Sequence, residues 1–213
     1  LSTAAGMIPK KIVSMGAYAV VFPDKVFVNT KDLTDYGTLD ATFTTATGAD
    51  VTYTMCRVDG TAYDLETAVV AAAEPPTPAN GQYWIDTSAA VHVLRQYSTT
   101  TSLWTAIPTV YVKIGYAEIG TNFAQYDGIT LSGCAGPVDN VALAAQITAL
   151  NTSNVIQAVG TDYIVITGII DQAYTQATGA VTVARTSPAM DYVTECDNRL
   201  WGCKYGIVDG EAV

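Results

Sequence analysis

Short runs of alternating hydrophobic and polar residues fill most of the chain, and turn residues separate them roughly every 8 to 12 positions. One such run places Val51, Tyr53 and Met55 on one face of a strand and threonines on the other. Two further apolar runs, at 17–22 and 26–29, are separated by turn residues. The pattern predicts an all-β fold that is rich in hairpins.

A single segment departs from this pattern. After Pro137, residues 139–150 place Leu143, Ile147 and Leu150 at positions i, i+4 and i+7, which is the spacing of one helix face. The fold class that we expect is therefore all-β with at most one short helix.

The middle of the chain has a distinct composition. Three prolines within 75–78 exclude a helix or a central strand there, so this stretch is predicted to be a linker or an extended edge. Strand-like runs follow at 82–86, 92–97 and 102–107 and predict a three-stranded meander. Its large aromatic residues are interpreted first as the core of a small sheet, with a ligand platform as the alternative: Trp84, Tyr97 and Trp104.

These boundaries suggest three parts. Residues 1–58 and 186–213 are expected to form outer β-hairpins, either propeller-like or sandwich-like. If they are propeller-like, these hairpins would be blades of a propeller that a longer chain completes. Residues 59–109 are expected to be an inserted aromatic meander, and residues 110–185 a small barrel or sandwich. The first residues lack an initiator Met and the layout of a signal peptide, so we expect the start to be a cut inside a longer polypeptide.

The net charge and hydropathy of the chain limit the classes of partner that we expect. The chain has 20 acidic and 10 basic residues and a net charge of −10, so a basic surface for nucleic acid or for anionic lipid is not expected. No apolar run approaches the roughly 20 residues that span a bilayer, so membrane insertion is not expected either. Because 49% of the residues are hydrophobic and only 14% are charged, the chain is predicted to fold around a core.

Candidate reactive residues are few. Free thiols are the default for Cys56, Cys134, Cys196 and Cys203, although a bridge between Cys196 and Cys203 across a hairpin is an open alternative. The single histidine, His92, has neither zinc-site spacing nor a nucleophile elbow. It is interpreted as a packed or surface imidazole in a strand, on the same side as Leu94.

Two other clusters have simple interpretations. Asp191, Glu195 and Asp197 are interpreted as a solvated acidic strand edge, in preference to a glycosidase pair or a calcium site. Gly133 and Gly136 lack the Lys and the strand-to-helix context of a phosphate loop, so both are assigned to turns that require positive φ. The prediction is a chain without catalytic residues, metal or cofactor.

Three stretches resemble known phage proteins. Residues 9–24 (PKKIVSMGAYAVVFPD) and 188–202 (PAMDYVTECDNRLWG) resemble virion structural proteins of siphophages that infect Gram-positive bacteria. Residues 78–88 (PANGQYWIDTS), with 94–97 and Trp104, are similar to a small aromatic β module of phage tail, baseplate and fibre proteins. The resemblance implies a particle component with propeller-like outer strands and inserted β modules, and it transfers no catalytic residue.

The function expected from these features is that of a non-enzymatic structural component of a tailed bacteriophage particle, in the tail, tail tip or head–tail region. Its partners would be its own copies, as a symmetric homo-oligomer, and other virion proteins. Its location would be the virion, assembled in the cytoplasm of the bacterial host. A tail-associated hydrolase is a third class, for which the sequence offers no general base or metal set.

The alternative function is a host-receptor or glycan-binding module of a tail tip or fibre. Tyr83, Trp84 or Trp104 would then stack on sugar rings of a host cell-surface glycan, while Asp86 and Asn80 supply hydrogen bonds.

Overall fold

The structure is a computed structural model that describes residues 10–188, 190, 192–197, 199–203, 207–208 and 211–212. It is almost entirely β, with one helix among the described residues, which confirms the predicted fold class. The chain divides into two compact units. The first unit comprises Leu1–Ala41 with Arg185–Val213, and the second comprises Thr42–Ala184.

The first unit contains an antiparallel sheet whose strands follow each other in chain order: β1 (Lys11–Met15), β2 (Tyr18–Phe22), β3 (Val26–Asn29) and β4 (Asp32–Thr38). The central strand β2 buries Val20 and Phe22. The hairpin predicted at 17–29 is thereby confirmed. A propeller-like arrangement of these strands remains a prediction.

Near its other end the chain forms further hairpins in the first unit. Strand β18 (Tyr192–Cys196) pairs with β19 (Arg199–Cys203), and β20 (Ile207–Val208) pairs with β21 (Glu211–Ala212). The register places Cys196 opposite Arg199 and Cys203 opposite Tyr192. The two cysteines are therefore four strand positions apart, about 13 Å, which is too far for a disulfide. Both thiols are free, so a Cys196–Cys203 bridge is excluded.

The second unit contains three sheets. The five-stranded sheet has the order β14-β15-β11-β6-β16, the four-stranded sheet has the order β13-β12-β17-β5, and β7 to β10 form the third. The strand bounds are β5 (Ala41–Thr44), β6 (Val51–Cys56), β7 (Val69–Ala71), β8 (Tyr83–Asp86), β9 (Val93–Ser98), β10 (Leu103–Ala106), β11 (Tyr111–Gly115), β12 (Gly128–Ser132), β13 (Ser153–Val155), β14 (Ala158–Gly160), β15 (Tyr163–Thr167), β16 (Tyr174–Gln176) and β17 (Thr182–Arg185).

Strand β6 confirms the alternation seen in the sequence, since Val51, Tyr53 and Met55 are buried and Thr52 is exposed. It pairs with β11 and β16. These partners lie far along the chain, and β6 belongs to the unit that begins at Thr42. The expected boundaries at 58, 109 and 185 remain predictions.

The one described helix is α1 (Val141–Thr148), within the predicted segment 139–150. It begins where the Asn140 side chain accepts a hydrogen bond from the Leu143 amide at 3.1 Å. Leu143 and Ile147 are fully buried, as the spacing predicts. No helix among the described residues is both long and apolar enough to cross a bilayer.

The two glycines near α1 have different roles. Gly133 has φ +82, so the predicted positive-φ turn is confirmed. The same prediction for Gly136 is wrong, because Gly136 is not among the glycines with positive φ. A Cβ on Gly136 would collide with the backbone of Ala144. This glycine therefore permits close approach of the loop to the helix.

The third sheet confirms the predicted aromatic meander. Strands β8, β9 and β10 pair antiparallel in succession, and β7 adds to β8 in parallel. The proline-containing stretch 75–78 lies outside the strands, between β7 and β8.

Candidate functional site

The residues proposed for ligand binding lie on the aromatic sheet but on opposite faces of it. Register pairs Trp84 with Arg95 and Tyr97 with Trp104. Because side chains alternate along a strand, Trp84, Asp86 and Trp104 share one face, and Tyr83 lies on the other. The structure therefore unites three of the four residues.

The shared face is a packed aromatic cluster. Trp84 is only 6% exposed, and its indole Nε1 donates a hydrogen bond to the Ala71 carbonyl at 2.9 Å. The Trp104 ring lies 5.5 Å from that of Trp84 and 5.3 Å from that of Tyr97, centroid to centroid. Such edge-on and tilted contacts add to the stabilisation from burial. The core interpretation is confirmed for Trp84, while Trp104 is half-buried.

The polar candidates are engaged within the second unit. The Asp86 carboxylate accepts hydrogen bonds from the Ser88 amide and from Arg95 Nε, each at 3.0 Å. Asn80 Oδ1 accepts from the amide and the hydroxyl of Thr99, also at 3.0 Å. On the opposite face, Tyr83 packs edge-on against Tyr63, with ring centroids 5.5 Å apart. Ligand binding by these residues remains a prediction.

The ionised Asp86 carboxylate is expected to make the stability of the fold depend on pH. Hydrogen bonds from Ser88, followed by the one from Arg95, lower the pKa of Asp86. A lowered pKa means that the fold favours the ionised form, so its contribution is present above the ordinary Asp pKa of about 3.9 and is lost as pH falls through the lowered value. We expect Asp86→Asn to be less stable than wild type at neutral pH, and the gap to close in acid.

Urea unfolding followed by near-ultraviolet circular dichroism of the tryptophan cluster, repeated across acidic pH, measures this gap. Asp50→Asn is the matched control, since Asp50 is exposed. A gap between Asp86→Asn and wild type that stays constant with pH would contradict the assigned role of the carboxylate.

The strands of the first unit expose large apolar side chains. Ile12 is 72% exposed, and Leu33 and Tyr36 on the edge strand β4 are 73% and 71% exposed. On the β18–β19 hairpin, Tyr192 and Trp201 are each 56% exposed. The sequence did not distinguish these residues from core residues, because local alternation shows that a strand has two faces but not which one is covered.

The hairpin has one continuous exposed face. Register pairs Thr194 with Trp201 and Tyr192 with Cys203, so these four exposed side chains lie on the same side. Of the predicted acidic edge, Glu195 lies on β18 and Asp197 in the turn with φ +52. Asp191 lies outside the described residues.

The thiols separate into two classes. Cys56 and Cys134 are buried, as the default interpretation predicted, whereas Cys196 and Cys203 are exposed. Burial raises the pKa of the Cys56 thiol to about 11 and also raises that of Cys134. Both buried thiols therefore stay protonated and unreactive at neutral pH. Within the described residues, no three His, Cys, Asp or Glu side chains are grouped to hold a metal ion.

His92 lies one residue before β9 and is part of a hydrogen-bonded group. Its Nδ1 is 2.7 Å from Asp171 Oδ1 and 3.1 Å from Gln146 Nε2. The sequence did not identify these partners, since Asp171 is 79 residues away along the chain and the contact depends on tertiary structure.

Comparison of the chain with protein-family models, with curated proteins and with solved structures yields no match.

Proposed function

We propose that this protein is a non-enzymatic structural component of a tailed bacteriophage particle, in the tail, tail tip or head–tail region. The observation that carries the proposal is the set of exposed apolar side chains on the strands of the first unit, Leu33, Tyr36 and Trp201 among them. Exposed apolar surface marks interaction sites when it is grouped, and Tyr192 and Trp201 share one face of the β18–β19 hairpin. Tyr and Trp are also enriched at the centres of protein interfaces.

The composition of these strands suits protein partners. Thr34, Thr38 and Thr194 are exposed beside the apolar residues. Neutral hydroxyl side chains pair across an interface without the desolvation cost of charges. The net charge of −10 disfavours the nucleic acid inside a particle as a partner. The proposed partners are therefore copies of this chain, in a symmetric homo-oligomer, and neighbouring virion proteins.

Glycan binding by the aromatic sheet has less support. Trp84 is buried, and the polar groups of Asp86 and Asn80 are engaged by Ser88, Arg95 and Thr99. A sugar platform needs an exposed ring with free polar groups beside it. The host-receptor alternative is accordingly ranked second.

The proposal predicts that the β4 side chains support self-association. Because burying one such side chain contributes about 1.5–3 kcal/mol, the double variant Leu33→Ser with Tyr36→Ser is expected to weaken association at least about tenfold. Sedimentation velocity of the full-length polypeptide over a concentration series gives the association constant. Co-purification with phage particles gives the second readout.

Val138→Ser is the matched control, because Val138 is fully exposed but lies in the second unit. Self-association should be unchanged in this variant. A full-length polypeptide that stays monomeric at all concentrations and never co-purifies with particles would overturn the proposal.

A further inference from the structure

A cleft of about 380 Å³ opens in the second unit where α1, the start of β9 and the end of β15 meet. Its volume falls in the range of about 300–1,000 Å³ that is usual for small-molecule sites. His92 and Gln146 lie in its wall, and its larger apolar side chains are those of Val91, Leu150 and Ile169. The residues that line this cleft do not include those of the aromatic cluster.

The shorter of the two Nδ1 contacts fixes the tautomer of His92, because Nδ1 cannot donate to Asp171 and also accept from the Gln146 amide nitrogen 3.1 Å away. A distance of 2.7 Å between Nδ1 and Asp171 Oδ1 requires a proton between the two atoms. An ionised carboxylate only accepts hydrogen bonds, so this proton belongs to Nδ1, and the 3.1 Å approach of Gln146 Nε2 is then a contact without a hydrogen bond. In the neutral ring, Nε2 is then an acceptor without a proton. Nε2 makes no hydrogen bond to any described residue and is not among the buried unpartnered atoms.

Gln146 holds the carboxylate partner in place. Its Oε1 accepts a hydrogen bond from the backbone amide of Asp171 at 2.9 Å. The ring of His92 is thus oriented by Asp171, and Asp171 by a residue of α1. An acceptor that is fixed in this way loses little entropy when a ligand binds to it.

The other polar groups of the cleft include donors and acceptors, and the Gln146 amide nitrogen is a donor. The Asn154 amide nitrogen already donates to the carbonyls of Leu150 and Thr152 at 3.1 and 2.9 Å. The side-chain oxygen of Asn154 remains available to a ligand. The hydroxyl of Thr167 adds a group that can donate or accept.

From this geometry we propose that the cleft binds a small neutral molecule that carries a hydroxyl group on an apolar ring. The hydroxyl donates to His92 Nε2, and the ring packs against Val91, Leu150 and Ile169. A neutral ligand is favoured over an anion because the Asp171 carboxylate is adjacent and the net charge is −10. This binding site goes beyond the proposed structural function and does not depend on it.

Phenol and anisole are the probes, because they share a ring but only phenol has a hydroxyl proton. The full chain contains a single histidine, so one imidazole spin system reports the site without assignment by mutation. At a pH where the ring is neutral, long-range nitrogen–proton spectra should show a protonated Nδ1 and an unprotonated Nε2. Titration with phenol should shift the Nε2 resonance. Phenol should bind about tenfold more tightly than anisole, which is the value of one hydrogen bond.

The variant His92→Phe keeps a ring and removes the acceptor, so it should abolish the preference for phenol over anisole. Gln125→Ala, an exposed position outside the cleft, should keep that preference. The proposal is overturned if Nε2 carries the proton in the neutral ring of the unmodified chain. It is equally overturned if phenol and anisole bind alike or leave the imidazole resonances unchanged at saturation.

Discussion

Replacing Gln176 with leucine is expected to lower the free energy of unfolding by about 3–5 kcal/mol, because the four hydrogen bonds of its buried side chain are lost together. Gln176 is 1% exposed. Its Nε2 donates to the carbonyls of Gly133 and Thr178 at 2.9 and 2.8 Å. Its Oε1 accepts from the Tyr53 hydroxyl at 2.8 Å and from the Ala135 amide at 2.9 Å.

This side chain connects strand β16, strand β6 and the loop after β12 through one amide. Burial raises the pKa of the Tyr53 hydroxyl well above its ordinary range. The Tyr53 hydroxyl therefore keeps its proton at neutral pH and donates to Gln176. Leucine has a similar size but no polar group, so the variant removes the hydrogen bonds with little change in packed volume.

Urea unfolding of Gln176→Leu and Tyr53→Phe measures the network. Tyr53→Phe removes one hydrogen bond and leaves the other three, so its loss should be the smaller, about 1–2 kcal/mol. Gln96→Leu is the matched control, since Gln96 is exposed and donates only to the Gly81 carbonyl at 3.2 Å. Its loss should stay within about 0.5 kcal/mol. Equal losses for the buried and exposed glutamines would refute the role assigned to this network.

Local periodicity explains which parts of the fold could be predicted. The buried face of β6, the aromatic meander and helix α1 each depend on side-chain spacing within one segment, and each was found. The pairing of β6 with β11 depends on residues some 60 positions apart, such as Thr52 and Gly115, which are linked by a 3.3 Å hydrogen bond with a separation of 63. Local patterns do not encode such pairings, so the sequence did not show that β6 pairs with β11 and β16.

The candidate sites show the same division. The aromatic cluster was recognisable because Trp84, Tyr97 and Trp104 lie within one meander. The partners of His92 were not, because they come from α1 and from the segment after β15. Likewise, the opposed positions of the β18–β19 hairpin depend on register, and a single step in register decides whether Cys196 faces Cys203 or Arg199.

Gly133→Ala is expected to destabilise the second unit by about 3–4 kcal/mol, through two effects that a matched glycine separates. Gly133 has φ +82, and a Cβ there would collide with the carbonyl oxygen of Ala180. Gly81 has nearly the same backbone angle, φ +79, but nothing lies within 4 Å of the Cβ position. Gly81→Ala therefore incurs only the left-handed backbone cost, about 1–2 kcal/mol.

Denaturant unfolding of both variants measures the energetic cost of the collision. The cost of a positive φ is common to both variants, so it cancels in the difference between their free energies of unfolding. We expect Gly133→Ala to lose at least about 1 kcal/mol more than Gly81→Ala. The backbone of Ala180 belongs to the segment before β17, which is paired to β12 on the other side of the turn, so it cannot withdraw without disturbing that pairing. If the two variants lost the same stability, the contact between Gly133 and the Ala180 backbone would contribute nothing measurable. Positive φ alone would then explain why position 133 is glycine.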